Sequence, residues 1–459
     1  MCSSHYFVGR GLPRRTGKYM QEKIVKVGLV GFGTVGSGVA KIILENADAI
    51  AAKTGLRLQL ACVVDSDLKR QRPVTLPAGI LTSDLNKLIN DKTIQIAVEL
   101  VGGTGIAKDI QLKMLAADKD VVTANKALLA HCGAELYAAA QKAGRCIAFE
   151  ASCAGGVPII SGIRTGLAAN NVSAIYGIVN GTCNYILSKM TANAEEFADA
   201  LAGAQRKGYA EADPTLDISG GDSAHKLAIL ASIAFGYQIE LQDIYVEGIQ
   251  HISKDDVRFG SEMGYTLKLL AIAEKDNNGR VSLRVHPSFI NKDNRLAQVN
   301  GSFNAISIFG HAVGEVVFYG RGAGMMPTAS AVVADIIDVA LGNSATTFNH
   351  LRLKPRNEVA PLIDKIDNLV SRFYIRLLAK DQPGVFAQVG KILADNAISI
   401  SGVLQHEANG PDNNVPVVIT THPNRQDKVS AALKGLAQLD TVCAKPVCIR
   451  IVNIPEDSE

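Results

Sequence analysis

The sequence predicts an α/β protein that begins with a doubly wound parallel sheet, and two observations carry this prediction. Short apolar runs alternate with stretches of helical periodicity between residues 24 and 150, which is the pattern of successive βαβ units. A glycine-rich turn, residues 31–36, lies directly between the first apolar run and the first helical stretch. The length of 459 residues suggests about three domains.

Each element of this first part follows from its apolar pattern. Continuous apolar runs predict strands at residues 24–30, 58–64, 94–100, 120–123 and 146–149. Apolar residues at helical spacing predict helices at residues 35–43, 85–89, 110–117 and 136–142. We therefore expect a nucleotide-binding domain over residues 24–150. A basic segment, residues 1–23, precedes it, and we interpret this segment as a disordered tail rather than a transit peptide because its apolar residues form no helical stripe.

The glycine-rich turn is typical of a Rossmann-type dinucleotide site. Gly31 permits the tight turn, Gly33 lets the backbone approach a pyrophosphate, and Gly36 lets the helix pack closely on the strand. The pyrophosphate would meet the free amides and the positive dipole end of the helix. The predicted contact residues of the turn are Gly31, Phe32, Gly33, Thr34, Val35 and Gly36.

The second strand ends at Asp65, where a ribose-binding acid is expected. A carboxylate there would accept hydrogen bonds from the ribose hydroxyls and repel a 2′-phosphate, which favours NAD. Lys69 and Arg70 follow closely and offer positive charge for that phosphate, which favours NADP. The residues themselves therefore leave both cofactors open.

The middle of the chain changes to an α+β pattern, and we place a second domain at residues 151–342. Residues 172–179 and 281–286 read as strands beside helix-rich stretches. Asn193 and Glu196 have the spacing of a capping box, which predicts a helix that begins at Asn193. A long helix, residues 328–342, is expected to return to the nucleotide-binding domain.

The pattern weakens over residues 343–371, which contain Pro355 and Pro361, and we interpret this stretch as a linker. Beyond it, residues 372–455 alternate in the order βαββαβ, which predicts a small ferredoxin-like domain.

Composition excludes several classes of protein. The net charge of +3 gives no indication of a nucleic-acid partner or an anionic membrane surface. No run of 18 apolar residues occurs, so no membrane span is expected. The 8 cysteines form no C-x-x-C pair, which indicates reduced thiols in a cytoplasmic protein rather than a disulfide scaffold or a zinc site.

Several segments together resemble the homoserine dehydrogenase family. Besides the glycine-rich turn, the matching motifs are Thr123-Ala124-Asn125-Lys126, residues 150–158, 180–185, 208–214 and 222–226, and the run 322–329. The resemblance covers residues 24–341 and implies that the second domain, residues 151–342, is a catalytic and dimerisation domain. It implies NAD(P)-dependent oxidation of L-homoserine to L-aspartate 4-semialdehyde, or the reverse, by a homodimer or homotetramer. No segment before Ile24 is long enough for a kinase domain, so a fused kinase is not expected.

The resemblance also implies roles for individual residues. Lys226 is expected to exchange the proton of the substrate hydroxyl, with Lys126 beside nicotinamide and substrate and with Asp222 orienting Lys226 from four residues earlier. Glu211, Asp213, Asp222 and Thr182 are the implied substrate-binding residues. Further implied cofactor contacts are Gly102, Gly103, Lys126, Gly322 and Gly324.

Residues 150–158 resemble the monovalent-cation loop of the same family. The implied ligands of a structural Na⁺ are a carboxylate oxygen of Glu150 and the carbonyl oxygens of Cys153, Gly155 and Val157. The alternative interpretation is a glycine turn with an incidental acidic residue.

The segment Asp381-Gln382-Pro383-Gly384-Val385 resembles the start of an ACT domain, in agreement with the βαββαβ order. It implies an amino-acid effector, L-threonine, with Asp381 and Gly384 shaping the effector loop. The alternative is a dimerisation module without a ligand.

Two other functions stay open at this point. Another semialdehyde or hydroxy-acid dehydrogenase of Rossmann type would need a nucleophilic cysteine, for which Cys153 and Cys183 are the candidates. A non-catalytic amino-acid sensor would have no use for the proton-transferring lysines.

Overall fold

The computed structural model describes residues 22–349, 361–406 and 414–455. It contains one parallel sheet and one mixed sheet, which continues into the C-terminal domain. The predicted α/β class is confirmed. The predicted tail lies almost entirely outside the described residues, and the first strand begins at Lys23.

The parallel sheet has six strands in the order β3-β2-β1-β4-β5-β6, with every neighbouring pair parallel. The strands are β1 (Lys23–Val30), β2 (Leu56–Val64), β3 (Leu81–Thr82), β4 (Ile96–Glu99), β5 (Asp120–Thr123) and β6 (Ile147–Ala148). The helices are α1 (Thr34–Glu45), α2 (Ala47–Thr54), α3 (Leu85–Ile89), α4 (Ile106–Ala116) and α5 (Lys126–Ala143). Because the strand order reverses beside β1, the carboxyl ends of β1 and β4 border a ligand-binding crevice.

Helix α5 is longer than its apolar pattern predicts. It begins at Lys126 because the side chain of Asn125 accepts a hydrogen bond from Leu128 N and so caps the first turn. The sequence predicts a helix only over residues 136–142, although the buried positions of α5 recur at helical spacing from Leu128 onwards. Lys126 is therefore the first residue of a helix at the carboxyl edge of the sheet.

The second region is built on an antiparallel sheet in the order β12-β11-β7-β9-β10. Its strands are β7 (Val172–Ile178), β8 (Tyr245–Val246), β9 (Tyr265–Lys275), β10 (Arg280–Asn291), β11 (Phe303–Gly310) and β12 (Gly314–Arg321). Its helices are α6 (Ile159–Ser161), α7 (Gly181–Asn193), α8 (Phe197–Arg206), α9 (Thr215–Ile218), α10 (Gly221–Phe235), α11 (Lys254–Glu262), α12 (Met325–Ala340) and α13 (Asn343–Asn349). Helix α12 packs against α1, where a Cβ at Gly38 would lie 2.9 Å from the Cβ of Ala329.

One helix boundary predicted in this region is wrong. Asn193 ends α7 instead of beginning a helix, and its Nδ2 donates to Glu195 rather than taking part in a capping box. Helix α8 begins at Phe197 with Glu196 as its N-cap residue. The motif has the right spacing but lies in the turn between two helices, because Ala194 adopts a left-handed conformation (φ 53°) that ends α7.

The predicted linker is also partly wrong. Its described residues form α13, the short strand β13 (Leu362–Ile363) and the start of the next strand, while Pro355 lies outside the described residues. Phe348 of α13 is buried and its ring meets that of Tyr137 edge-on, with centroids 5.8 Å apart. One buried aromatic residue in so short a helix produces no periodic pattern.

The C-terminal region has the predicted βαββαβ order. Its elements are β14 (Val370–Lys380), α14 (Val385–Asp395), β15 (Ile400–Gln405), β16 (Asn414–Thr421), β17 (Asn424–Arg425), α15 (Gln426–Leu436) and β18 (Val447–Ile451). The sheet order is β18-β14-β16-β15, and β18 also pairs in parallel with β10. The two regions therefore share a continuous sheet.

Buried ion pairs join the same two regions. Arg376 of β14 donates to the fully buried Asp256 of α11 at 2.6 Å from Nε and at 3.0 Å from Nη2. Arg450 of β18 donates to Glu247 at 2.7 Å. The small domain is thus held rigidly against the central one.

Among the described residues, no single helix has the length and apolar character needed to cross a bilayer. Only α12 and α13 taken together, at 84° to each other, meet that criterion of length and composition.

Candidate active site

A cleft of about 570 Å³ lies where the second region faces the carboxyl edge of the parallel sheet. Its wall collects most of the predicted catalytic and substrate residues from separate elements: Lys126, Thr182, Glu211, Asp213, Asp222 and Lys226, together with Gly322 and Gly324.

A buried carboxylate between two lysines forms the centre of the cleft. Asp222 Oδ1 lies 2.9 Å from Lys126 Nζ, and Asp222 Oδ2 lies 2.7 Å from Lys226 Nζ. Lys226 Nζ also donates to Val179 O at 2.6 Å. Asp222 and Lys226 lie one turn apart on α10, as the sequence predicts, whereas Lys126 comes from α5. The cluster therefore bridges the two regions.

The opposite charges of this cluster stabilise the ionised forms of Asp222 and Lys126. Burial would raise the pKa of Asp222, but the neighbouring charges of Lys226 and Lys126 outweigh it and hold the pKa of that carboxyl well below its usual range. Burial likewise opposes the charge on Lys126, yet the Asp222 carboxylate outweighs it and raises the pKa of the ammonium group. Asp222 thus carries a firm negative charge at a site where a proton can be exchanged.

The residue that sequence reasoning missed at this centre is Asn180. Its Nδ2 donates to Asp222 Oδ2 at 2.8 Å and to Asp217 Oδ1 at 2.7 Å, and its Oδ1 accepts from Cys183 N at 2.8 Å as the N-cap of α7. An asparagine immediately before Gly-Thr at a helix start indicates a cap, but nothing local indicates its two acidic partners.

The acidic residues of the cleft differ in what their side chains do. The Asp213 carboxylate accepts from Thr215 N at 3.0 Å and from Thr215 Oγ1, which shapes the turn into α9 and lowers the pKa of Asp213. Thr182 Oγ1 donates to Tyr209 O at 2.7 Å and lies 3.2 Å from Asp217 Oδ2. The side chain of Glu211 is exposed in the cleft wall.

The glycine turn has the backbone that a dinucleotide requires. Gly31 has φ +95°, and a Cβ there would lie 2.6 Å from the backbone of Leu100. A Cβ at Gly36 would lie 2.1 Å from Gly31 O, whereas a Cβ at Gly33 would have no protein atom within 4 Å. Gly33 thus borders open space at the N-terminus of α1, where no side chain caps the helix. These features fit a bound pyrophosphate.

Asp65 is already engaged by its neighbours. Its Oδ2 accepts from Phe32 N at 2.6 Å, and its Oδ1 lies 3.2 Å from Arg72 Nη2. Arg72 also donates from Nε to Phe32 O at 2.7 Å and lies over the Phe32 ring, 4.7 Å from its centroid. Arg72, which the sequence did not single out, therefore clamps the glycine turn and offsets the charge of Asp65.

The loop after β4 carries Gly102 (φ +80°) and Gly103 (φ +71°), both exposed. It is held by Glu99, another residue that sequence reasoning missed. Glu99 Oε1 accepts from Val101 N at 2.8 Å and from Gly102 N at 3.2 Å. The loop therefore borders the crevice in a fixed conformation.

The loop predicted to hold a cation is packed beneath the cofactor side of the cleft. The Glu150 carboxylate accepts from Ile160 N at 2.7 Å and from Ser161 N at 2.8 Å, and Glu150 N donates to the buried Asp335. A Cβ at Gly155 would lie 2.5 Å from Gly322 O.

The chemistry of this loop fits a hard cation only in part. Burial raises the pKa of both Glu150 and Asp335, so added positive charge would be favourable there. Cys153 and Val157 are buried in the same loop, and the Val157 carbonyl already accepts from Ile159 N. Within the described ranges there is no cluster of three or more His, Cys, Asp or Glu residues suited to a metal ion.

The two candidate nucleophilic cysteines are unsuited to that chemistry. Cys153 and Cys183 are fully buried, and burial raises the pKa of Cys153 to about 12 and that of Cys183 well above its ordinary value. A thiol in such surroundings stays protonated and poorly nucleophilic.

The predicted effector residues lie at the turn between β14 and α14. Gly384 has φ +91° and is the N-cap residue of α14, and Asp381 directly follows β14 at an exposed position. Gly384 therefore occupies a left-handed position that favours glycine.

Comparison with protein families gives three matches along the chain. Residues 31–150 match the model of the homoserine dehydrogenase NAD-binding domain, residues 158–337 match homoserine dehydrogenase, and residues 373–438 match the ACT domain. The homoserine dehydrogenase of Neisseria gonorrhoeae is 41% identical over 93% of this chain and 98% of its own length. That of Helicobacter pylori is 43% identical over 94% of this chain and 100% of its own length.

Solved structures agree with these matches. A homoserine dehydrogenase from Thiobacillus denitrificans superposes with a TM-score of 0.85 at 40% identity, over 94% of this chain and 99% of that one. A hyperthermophilic archaeal homoserine dehydrogenase mutant in complex with NADPH gives a TM-score of 0.57 at 26% identity, over 70% of this chain and 98% of that one. The chain described here belongs to the homoserine dehydrogenase family and carries a C-terminal ACT domain.

Proposed function

We propose that the protein catalyses the reversible NAD(P)-dependent interconversion of L-homoserine and L-aspartate 4-semialdehyde. The observation that carries this proposal is the cluster of Lys126, Asp222 and Lys226 at the meeting of the cleft and the dinucleotide crevice. Oxidation of an alcohol requires a base for the hydroxyl proton at the moment when the hydride leaves carbon. NAD(P), when bound, supplies the hydride acceptor.

In the oxidation direction Lys226 first gives up a proton to solvent and then, as a neutral amine, takes the hydroxyl proton; in the reduction direction its ammonium form gives a proton to the forming alkoxide. Asp222 orients Lys226 through its 2.7 Å contact and orients Lys126 through its 2.9 Å contact. Lys126 stabilises the negative charge that develops on the substrate oxygen. Its position at the start of α5, on the nucleotide-binding side, supports this role.

The substrate is a zwitterion, and the acidic side of the cleft suits its ammonium group. We assign this contact to Glu211 and Asp222, with Asp213 shaping the adjoining turn and Thr182 holding the base of the cleft. The distribution of carboxylates along one side of the cleft supports this assignment.

For the cofactor we assign the pyrophosphate to the turn formed by residues 31–36, and the nicotinamide end to Gly102, Gly103, Lys126, Gly322 and Gly324. Asp65 faces the ribose. Because Arg72 offsets the charge of Asp65, the repulsion of a 2′-phosphate is weak, and exposed Lys69 and Arg70 lie nearby. We therefore propose that both NAD and NADP are accepted.

We further propose a structural monovalent cation, Na⁺, on the carboxylate of Glu150 and the carbonyl oxygens of Cys153, Gly155 and Val157. The raised pKa of the buried Glu150 supports it, because a cation would relieve the cost of that charge. The test is thermal unfolding in NaCl against choline chloride at equal ionic strength. Stabilisation by NaCl that disappears in Glu150→Gln is expected, and equal midpoints in both salts would contradict the proposal.

For the ACT domain we propose feedback by L-threonine at the turn of Asp381 and Gly384. The protein would act as a homodimer or homotetramer in the cytoplasm, with neither nucleic acid nor a membrane as partner. Support comes from the ion pairs Arg376–Asp256 and Arg450–Glu247, which join this domain to the central one. Through them, effector binding can change the conformation of the cleft.

The deciding experiment follows NAD(P)H absorbance after addition of L-homoserine, with each cofactor in turn and with or without L-threonine. Lys226→Met is expected to lower kcat by roughly 100- to 10,000-fold while leaving cofactor affinity unchanged. Lys391→Met, which removes only an exposed ion pair with Asp395, is the matched control and is expected to behave like the unaltered chain. Full activity in Lys226→Met would refute the assignment of the base.

A further inference from the structure

Asn180 lines the cleft and uses every polar atom of its side chain, although a neutral amide is neither an acid nor a base. It is 5% exposed and immediately precedes α7. Its Oδ1 caps the helix at Cys183 N, and its Nδ2 donates to carboxylates of two other helices, Asp217 of α9 and Asp222 of α10. Such a contact set is not needed for a helix cap alone, because the cap uses only Oδ1.

One of the two bonds from Nδ2 helps to orient the Asp222 carboxylate. Asp222 Oδ2 receives both Asn180 Nδ2 at 2.8 Å and Lys226 Nζ at 2.7 Å, so the amide and the amine share one oxygen. The preceding residue, Val179, accepts from the same Lys226 Nζ at 2.6 Å. Residues 179 and 180 therefore hold Lys226 directly through a carbonyl and indirectly through its carboxylate partner.

The amide also separates two carboxylates that would otherwise repel each other. Asp217 Oδ1 lies 2.7 Å from Asn180 Nδ2, on the other side of the same NH₂ group from Asp222. Without that donor, the repulsion between the two carboxylates would be unrelieved and would displace Asp222 from its place on Lys226. Displacing a proton acceptor by about 1 Å costs roughly 100-fold in rate.

We propose that Asn180 is a positioning residue for proton transfer, which keeps the Asp222 carboxylate on Lys226 and holds the Asp217 carboxylate on its own amide. The inference rests on the proposed function, in which the hydroxyl proton of the substrate moves to the neutral amine of Lys226 and the hydride leaves the carbon that bears this oxygen for NAD(P). Because the polar atoms of Asn180 are engaged with Cys183, Asp217 and Asp222, its effect is expected in the proton step rather than in cofactor binding.

The test uses two variants that keep the helix cap. Asn180→Asp retains an acceptor for Cys183 N but replaces both donors by a third carboxylate, and Asn180→Ser retains a cap without added charge. Both are expected to lower kcat for L-homoserine roughly 10- to 100-fold. The solvent deuterium isotope effect on kcat is expected to increase and cofactor affinity to stay near that of the unaltered chain, whereas the melting temperature is expected to fall more in Asn180→Asp, which adds a buried carboxylate, than in Asn180→Ser.

Asn294→Asp is the matched control. Asn294 is also an N-cap asparagine, and it accepts from Leu296 N at the 3₁₀ turn Arg295–Gln298. This variant is expected to keep the kcat and the isotope effect of the unaltered chain, which shows that an Asn→Asp change at a cap is harmless in itself.

Three results would overturn the inference: kcat within about twofold of normal in both variants, a loss of kcat with an unchanged solvent isotope effect, or a loss of folding in both variants. The last result would assign Asn180 to structure alone. If the unaltered chain oxidises no homoserine, the proposed function itself fails. If the unaltered chain is active and both variants match its kcat within about twofold, only the role of Asn180 fails.

Discussion

Replacing Arg376 by methionine tests how the ACT domain is joined to the central region. Arg376 donates twice to Asp256, which is fully buried and also accepts from Tyr374 Oη at 3.1 Å and from Ser253 N at 3.0 Å. Methionine fills a similar volume but leaves the carboxylate without its cation. The change therefore isolates the charge of the junction from its packing.

The magnitude follows from burial. Breaking a buried ion pair by removing one partner typically costs about 3–5 kcal/mol, because the remaining charge is uncompensated. Here the hydrogen bonds from Tyr374 and Ser253 remain, so we expect a loss near the lower end, about 3 kcal/mol. Arg376→Met in an Asp256→Asn background is expected to cost less, since no buried charge is then left behind.

The pH dependence has a definite sign. Burial alone would raise the pKa of Asp256, but the bonds and charge of Arg376 outweigh it and lower that pKa below its usual value. The stability contributed by ionised Asp256 is therefore fully present above the unfolded pKa of about 3.9 and is lost as pH falls through the folded pKa. In Arg376→Met, burial is no longer offset and the carboxyl takes up a proton at higher pH. The cost of the substitution is thus largest near neutral pH and shrinks towards about pH 4.

Urea unfolding followed by far-ultraviolet circular dichroism, at several pH values, measures these differences. The matched control is Arg258→Met on α11, the helix that carries Asp256. Arg258 forms an exposed ion pair with Asp255 at 3.0 Å, so this substitution is expected to change the free energy of unfolding by at most about 0.5 kcal/mol. The reasoning is refuted if Arg376→Met costs no more than Arg258→Met, or if its cost grows as pH falls.

Three further predictions concern the cleft and the nucleotide turn. Gly36→Ala is expected to weaken cofactor binding and to lower stability, because its Cβ would lie 2.1 Å from a backbone oxygen. Gly33→Ala, whose Cβ would meet no protein atom within 4 Å, is expected to weaken cofactor binding alone. Cofactor titration and melting temperatures distinguish the two variants. Cys183→Ser is expected to retain turnover, and a loss of more than about 100-fold without unfolding would revive a thiol mechanism. Arg72→Met is expected to loosen the Phe32 turn and to raise KM for NADP more than for NAD, measured side by side in the same assay.

The parts of the fold that the sequence predicted are those with a repeating local pattern. The parallel strands and the βαββαβ order follow from continuous or alternating apolar residues. The failures occur where a single side chain decides a boundary. Asn125 caps α5, which begins ten residues before the predicted start at residue 136, and the left-handed Ala194 ends α7 where a capping box was expected to begin a helix.

The candidate site was predicted through its motifs, and its residues do converge. Lys126, Asp222 and Lys226 meet in one cluster although almost 100 residues of chain separate the first from the second. The sequence predicted no role for Asn180 or Arg72, because neither residue type indicates a particular function by itself. Their roles arise only from partners contributed by other elements.

The sequence by itself determined the class of fold, the order of the domains, the dinucleotide turn and the set of side chains able to move a proton. It could do so because glycine geometry, apolar periodicity and residue chemistry are local properties. Only the tertiary structure decided that one carboxylate serves two lysines, that an asparagine divides two acids, and that the ACT sheet continues the central one. Those facts depend on strand order and helix docking, which bring together groups that no local pattern relates.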